Sequence, residues 1–346
     1  MRRAAAELST EAPHPRETYV LFGHDAAEQA LLTSYRSGRI AHAWLIGGPV
    51  GIGKATLAYR MARFVLAHPD PAAPAVQSAT SLSVAADSPL ARRVAAKSHN
   101  DLLVLERMPG ESGQLRTVIT VDDVRRTVAF YGSTAGQGGW RVCVVDSADE
   151  LKYPEASNAL LKVLEEPPPR SLFLLVSHVP GRLLPTIRSR CRRLTLSALS
   201  QTDVARAAAA ALGKDTNDED IRKASTAAEG SVARAIALLD EEHLAMREHV
   251  VALLSQLPQT DPQALHALGD SLDRSDGDAF ATFVETVRDW LSSRLACEEP
   301  DTRRLAQLAE VWEKLNRTAW EVEVFNLERK PMVFSVFGSL AETARR

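Results

Sequence analysis

Short apolar runs alternate with helical stripes along the first part of the chain. Residues 43–47 (AWLIG) run apolar into a cluster of glycines, and over 54–67 (KATLAYRMARFVLA) the apolar positions recur at helical spacing. Further runs at 102–105 (LLVL), 142–145 (VCVV) and 172–176 (LFLLV) predict buried strands, and 193–196 predicts a fifth. Between them the pattern predicts a helix over 121–131, opened by Thr120 as a cap, and another over 156–166, stopped by Pro167, Pro168 and Pro169. Brief apolar strands separated by helices mean a parallel sheet covered on both faces, an α/β domain. Residues 68–98 are rich in Ala, Pro and Ser and predict a surface insertion.

The pattern changes after about Ser197, where no strong strand follows. Residues 200–240 predict a small Ala-rich helical unit, and 241–346 predict longer amphipathic helices carrying Trp290, Trp312 and Trp320. The expected organisation is a tail over 1–18, an α/β domain over 19–197, a helical lid over 198–242 and an all-α C-terminal domain over 243–346. A length of 346 residues suits such a multi-domain chain.

Composition narrows the function classes. A formal net charge of −3 gives no global basic field, so any contact with nucleic acid must be local. No apolar run reaches the roughly 18 residues of a membrane span, and the start, MRRAAAELSTEAPHPRE, lacks the apolar core of a secretory signal. Cys143, Cys191 and Cys297 are far apart and form no disulfide framework, which fits a cytoplasmic protein.

The candidate chemistry starts at GGPVGIGKATLA, residues 47–58. Gly48, Gly53 and Lys54 fit a phosphate-binding loop, G-x-x-x-x-G-K-[ST], in the required strand-turn-helix context. Gly51 adds a further tight turn, so that backbone N–H groups can surround an anion at a helix N-terminus. The motif then fails at its last position, where Ala55 replaces the hydroxyl that holds magnesium. Thr56 comes one residue late. Asp146 follows a buried strand, where it can face the loop and hold magnesium, but the next position is Ser147 and not a glutamate that polarises water. Asp149 and Glu150 read as first-turn acids favoured by a helix dipole. The three cysteines cannot supply four thiolates, and no structural zinc is expected.

The stretch SNALLKVLEEPPPRSLFLLVSHVPGRLLPTIRSRCRRLTL, with GHDAAEQALLTSYRSGRIAHAWLIGGPVGIGKATLA before it, resembles the bacterial AAA+ clamp-loader subunits that serve DNA polymerase III. The likeness runs over about residues 20–240, and is weaker over LNRTAWEVEVFNLERKPMVFSVF near the C-terminus, similar to the family's collar domain. It implies an AAA+ P-loop domain, a helical lid and a collar. Ser189-Arg190-Cys191 matches the motif whose arginine reaches into a neighbour's ATP. Ser177 and His178 match the sensor position after the fourth strand, and Arg234 in GSVARAIALL matches the lid arginine. Read on the residues alone, RSRCRR is a solvated basic surface or a phosphate-backbone contact. The four-cysteine zinc module carried by many relatives cannot be made here, because 68–140 holds no cysteine. Ala55 and Ser147 fit the largely non-hydrolysing stator of such loaders, with ATP and Mg weak or vestigial at the loop. The implied partners are the motor subunits and the clamp-opening subunit and, through the complex, the sliding clamp and primed DNA. The rival readings are an active AAA+ motor subunit, which would want Ser/Thr at 55 and Glu at 147, and a P-loop phosphotransferase, which would want a substrate lid.

Overall fold

In a computed structural model, the described residues are 12–109, 116–132, 139–274, 277–297, 302–325 and 327–345. The expected tail of 1–18 therefore lies partly outside them, at residues 1–11. The chain divides into two compact units, Met1–Ile236 and Ala237–Arg346.

The first unit opens with helix α1 (Asp25–Arg36), strand β1 (Ala43–Gly47) and helix α2 (Lys54–Ala67). Two short helices follow, α3 (Pro74–Ser78) and α4 (Pro89–Ala95), then β2 (Leu102–Leu105), α5 (Val121–Gly132), β3 (Arg141–Val145), α6 (Glu155–Glu165) and β4 (Ser171–Ser177). Helix α7 (Pro185–Arg190) leads into β5 (Arg192–Thr195), and α8 (Gln201–Leu212), α9 (Glu219–Ala227) and α10 (Val232–Ala237) complete the series. The five strands form one sheet of order β2-β3-β4-β1-β5, and every pairing is parallel. The α/β class expected from the sequence is the one the chain adopts.

Strand periodicity sorts the core into two layers. Successive side chains point to opposite faces. Trp44, Ile46, Val104, Val144 and Leu174 join one cluster with α1 and α2. Leu45, Leu105, Val145 and Leu175 join the other with α5, α6 and α7. Because both faces are covered, β1 and β4 are buried at every position, and β4 runs apolar from Leu172 to Val176 between two buried serines.

Two segments that composition marks as loose are packed. Residues 68–98 are not a bare surface insertion: Val76, Leu82, Ala91 and Val94 are buried, three of them in the first cluster. Pro74 and Pro89 start the two helices at positions where a missing N–H costs nothing, and Ser88 Oγ caps α4 by accepting from Ala91 N. Residues 12–22 are strapped to α2 by two arginines. Arg63, 2% exposed, donates to Arg16 O at 2.9 Å and Thr18 O at 2.7 Å. Its guanidinium also lies 4.5 Å over the Tyr19 ring, and burial pulls its pKa down to about 10. Arg60 donates to Tyr19 O and pairs with Glu28 on α1 at 2.6 Å. The same Glu28 Oε1 accepts from Leu82 N at 3.2 Å. One carboxylate thus joins α1, α2 and the 68–98 segment, while its arginine holds the N-terminal segment.

The helices after β5 obey local rules. Ser200 caps α8 by accepting from Asp203 N at 3.1 Å, and Gly213 closes it in the left-handed conformation. The second unit holds α11 (Glu241–Ser255), α12 (Pro262–Arg274), α13 (Gly277–Cys297), α14 (Thr302–Phe325) and α15 (Lys330–Arg345) around one apolar cluster. Gly269 lets α12 and α15 cross closely, since a Cβ there would stand 3.0 Å from Lys330 Cβ. Of the three tryptophans, Trp290 and Trp312 pack on the cluster, whereas Trp320 is 56% exposed.

Removing Glu28 leaves Arg60 charged and buried, and breaking a buried pair from one side costs about 3–5 kcal/mol. Glu28→Ala is expected to lower the urea midpoint of the first unit strongly. A midpoint equal to that of the parent would show that the pair does not hold these segments.

Candidate functional site

All five strands end at the same edge of the sheet, and the candidate nucleotide residues gather there. Gly48 follows β1 directly. Gly51 and Gly53 have φ of 74° and 97°, the left-handed region that glycine enters without strain. Gly51 has a second reason to lack a side chain: a Cβ would collide with Ser231 Oγ and stand 2.7 Å from Ala233 Cβ. Helix α10 begins against the loop at this point, where Gly51 O accepts from Val232 N at 2.9 Å and Ala233 N at 3.3 Å. His24 Nε2 lies 2.7 Å from Ile52 O and fixes the other side of the loop to the start of α1.

Lys54 is the first residue of α2 and is 3% exposed. Its Nζ donates to Pro49 O inside the loop. Burial lowers its pKa to about 8, against the pull of Asp149 and Asp146. Ala55 packs its methyl group on the first core cluster, and Thr56 is buried beside it; both line the cavity next to the loop. The cavity has a volume of about 780 Å³. Tyr19, Val20 and Phe22 line the cavity with the loop and Asp146, and Leu199, Ala210 and Ile236 line it from the chain after β5. Most of this lining is apolar.

Asp146 follows β3, as the sequence predicts. Its pKa is pushed up to about 6, first by burial, then by Glu150 and Glu106, with Lys54 opposing. Ser147, the residue in the catalytic glutamate's place, donates its hydroxyl to Asp149 Oδ2 at 3.0 Å.

The sequence reading missed Asp149. It does lie in a short helical turn, Ala148–Glu150, but its carboxylate does more than face a helix dipole. It accepts from Ser177 Oγ at 2.8 Å and Val179 N at 3.2 Å, and also from His178 N. The expected sensor hydroxyl of Ser177 is therefore already engaged. The available signal was the end of β4, whose N–H groups leave the ladder and require acceptors nearby. Glu150 pairs with Arg107 at 3.2 Å, and burial raises its pKa. His178 lines the cavity with its pKa lowered, by burial and then by Lys54.

Arg234 lies on α10, where Nη1 donates to Glu229 Oε2 at 3.1 Å and its N–H donates to Ser231 Oγ at 3.2 Å. It belongs to the same short stretch that touches Gly51.

Arg190 is at the other edge of the sheet. It ends α7, just before β5, and Arg192 pairs in register with Trp44 near the start of β1. The phosphate loop begins after the far end of β1, four residues beyond Trp44, which is roughly 13 Å of extended chain. Arg190 cannot share a site with its own loop. The RSRCRR cluster is also not uniform. Arg190 pairs with Glu165 at 2.7 Å, Arg192 stacks 4.8 Å over Trp44, and Arg193 is exposed. Cys143 is buried in the sheet and Cys191 beside α7. Among the described residues, no group of three or more His, Cys, Asp or Glu is placed to hold a metal ion.

The pKa of Asp146 makes a stability prediction. A carboxyl whose folded pKa lies above its ordinary value near 3.8 holds its proton more tightly in the folded state. Stability is therefore lost as pH rises from about 4 to about 6, and the cost persists at neutral pH. Asp146→Asn is expected to gain about 3 kcal/mol at pH 7.5 and little at pH 3.5, measured by urea unfolding. A gain of the same size at both values would separate it from ionisation.

A family model described as DNA polymerase III, delta subunit, matches residues 23–200. The DNA polymerase III subunit delta' of Pseudomonas aeruginosa is 41% identical over 165 residues, covering 47% of this chain and 46% of that one. The subunit delta' of Escherichia coli is 35% identical over 164 residues, covering 47% and 45%. The subunit gamma/tau of Mycobacterium tuberculosis is 33% identical over 171 residues, covering 49% of this chain and 26% of that one. The matched stretch spans about half the length of the delta' relatives. Among solved structures, a gamma-subunit-related protein from Thermotoga maritima aligns over 91% of this chain and 99% of that one, at 16% identity and a TM-score of 0.48. The family match takes in the phosphate loop, Asp146, Asp149 and the Ser189-Arg190-Cys191 turn. With just over half its length matched, the chain belongs to the DNA polymerase III delta-subunit family, that of the delta-prime clamp-loader subunits.

Proposed function

We propose that this chain is a largely non-hydrolysing stator of a cytoplasmic sliding-clamp loader, and that it lends Arg190 in trans to the ATP site of a neighbouring AAA+ subunit. The observation that carries the reading is the division of labour between the two edges of one sheet. The loop edge has a lysine and anion-turn glycines, but Ala55 stands where magnesium needs a hydroxyl and Ser147 where water needs a base. The opposite edge presents Arg190, a permanently charged fork suited to phosphate, out of reach of its own loop.

ATP with magnesium is the group this family implies, and the loop edge does not fit its hydrolysis. The donor set lacks the hydroxyl ligand. Lys54 is turned into Pro49 O, and the lid rests against Gly51. The cavity's apolar walls at Val20, Phe22 and Ile236 support a weakly held nucleotide, with Thr56 and Asp146 on its floor. Ser177 is committed to Asp149 and Arg234 to Glu229, so both expected sensor groups already have partners within this chain. The second unit would serve as the collar that joins motor and clamp-opening subunits, with exposed Trp320 on its surface. The sliding clamp and primed DNA would be reached through the complex. The alternative, an active motor subunit, finds no support at positions 55 and 147.

The isolated chain is expected to show no steady-state ATP hydrolysis above background, and at most weak heat on titration with ATP. Robust turnover abolished by Lys54→Ala would favour the motor reading. In a reconstituted loader, Arg190→Ala is expected to assemble normally and to lose one motor site's share of ATP turnover. Trans arginines are worth roughly 10³–10⁵ in rate at a single site. Arg193→Ala is the control, because Arg192 stacks on Trp44. Equal, salt-dependent losses in both variants would mark the cluster as a phosphate-backbone contact instead.

A further inference from the structure

We infer that Glu165 is a positioning residue for Arg190, aiming its guanidinium out of the subunit toward the neighbour's phosphate. The inference rests on the trans role proposed above. Arg190 is anchored twice, from two different elements. Nη1 donates to Thr186 O within α7 at 3.0 Å, and Nη2 donates to Glu165 Oε1 at 2.7 Å. Glu165 is the last residue of α6, which packs against α7. A carboxylate at a helix C-terminus meets the negative end of the helix dipole, so the local sequence gives no reason for it. Pro167, Pro168 and Pro169 end the helix immediately afterwards and fix where its last turn points. Arg190 adds to Lys162, in the last turn of α6, the positive charge that this end of the helix favours.

The pair is not built for stability. Its side chains are 34% and 48% exposed, so water screens the attraction. What it controls is direction. A free arginine spreads over many rotamers. The two anchors use one N–H on each terminal nitrogen and leave three of the five donors, including Nε, open to an incoming phosphate. A neighbour's phosphate can therefore bind Arg190 without first displacing Glu165.

The test is steady-state ATP turnover in a loader reconstituted from this chain and ATP-hydrolysing AAA+ subunits, comparing Glu165→Ala, Glu165→Gln, Arg190→Ala and Glu165→Ala/Arg190→Ala. Glu165→Ala is expected to lower the kcat assigned to the adjoining site about five-fold, the size an exposed anchor of this kind supports, with KM for ATP unchanged. Glu165→Gln should keep most of the activity, because its Oε1 still accepts from Nη2. In the Arg190→Ala background, Glu165→Ala should add nothing, and its thermal midpoint should match that of the parent. Parent-like turnover in Glu165→Ala, with Arg190→Ala still defective, would overturn the inference and leave the trans arginine standing. An increase in turnover would make Glu165 a competitor of the phosphate, and loss in Glu165→Gln equal to that in Glu165→Ala would make its role one of charge; either result overturns positioning. Arg190→Ala with unchanged turnover would remove the trans arginine and this inference together.

Discussion

The constraint on which the rest depends is that all five strands run in the same direction. A parallel sheet has two unlike edges, and every connection must cross back over a face. The crossings bury the strands on both sides, which is why β1 and the middle of β4, Leu172 to Val176, are apolar. The direction also sorts the chemistry. Residues that end or follow a strand, Gly48, Asp146 and Ser177, collect at one edge. Residues that precede a strand, Arg190 above all, collect at the other. Two sites in one domain that cannot meet follow from topology before any side chain is considered.

At the loop edge, local contacts occupy the polar groups. Gly51 O is engaged by the start of α10, Lys54 by Pro49 O, and Ser177 by Asp149. Each contact satisfies a buried polar group, and an unsatisfied one would cost about 1–3 kcal/mol. The result is a loop edge held together from inside. The family relationship covers this region, and the departures at Ala55 and Ser147 lie within it.

The N-terminal segment and residues 68–98 illustrate how composition misleads. Neither has a long apolar period, and both contain many Ala, Pro and polar residues. Their order comes from a few long-range partners. Arg63 donates to two backbone carbonyls of the N-terminal segment, and Glu28 accepts from Leu82 N, more than fifty residues away in sequence. Such bonds leave no periodic trace, because one partner is a charged side chain on a helix that already has an apolar face and the other is a backbone group that every residue carries.

The sequence by itself determined the strands, the helix after the glycine loop, the parallel sheet and the candidate residues at each strand end. It could do so because burial on two faces writes itself as continuous apolar runs, and because a phosphate loop needs glycine and lysine at fixed spacing. The family likeness was also legible, in ALLKVLEEPP and SRC. Only the tertiary structure decided what the polar residues do. It turned Asp149 from a helix-end acid into the acceptor for the end of β4, and it separated Arg190 on Glu165 from Arg192 on Trp44. Apolar burial is a property of each position and can be read locally. The partner of a charge is a property of two positions, and their meeting is set by the fold.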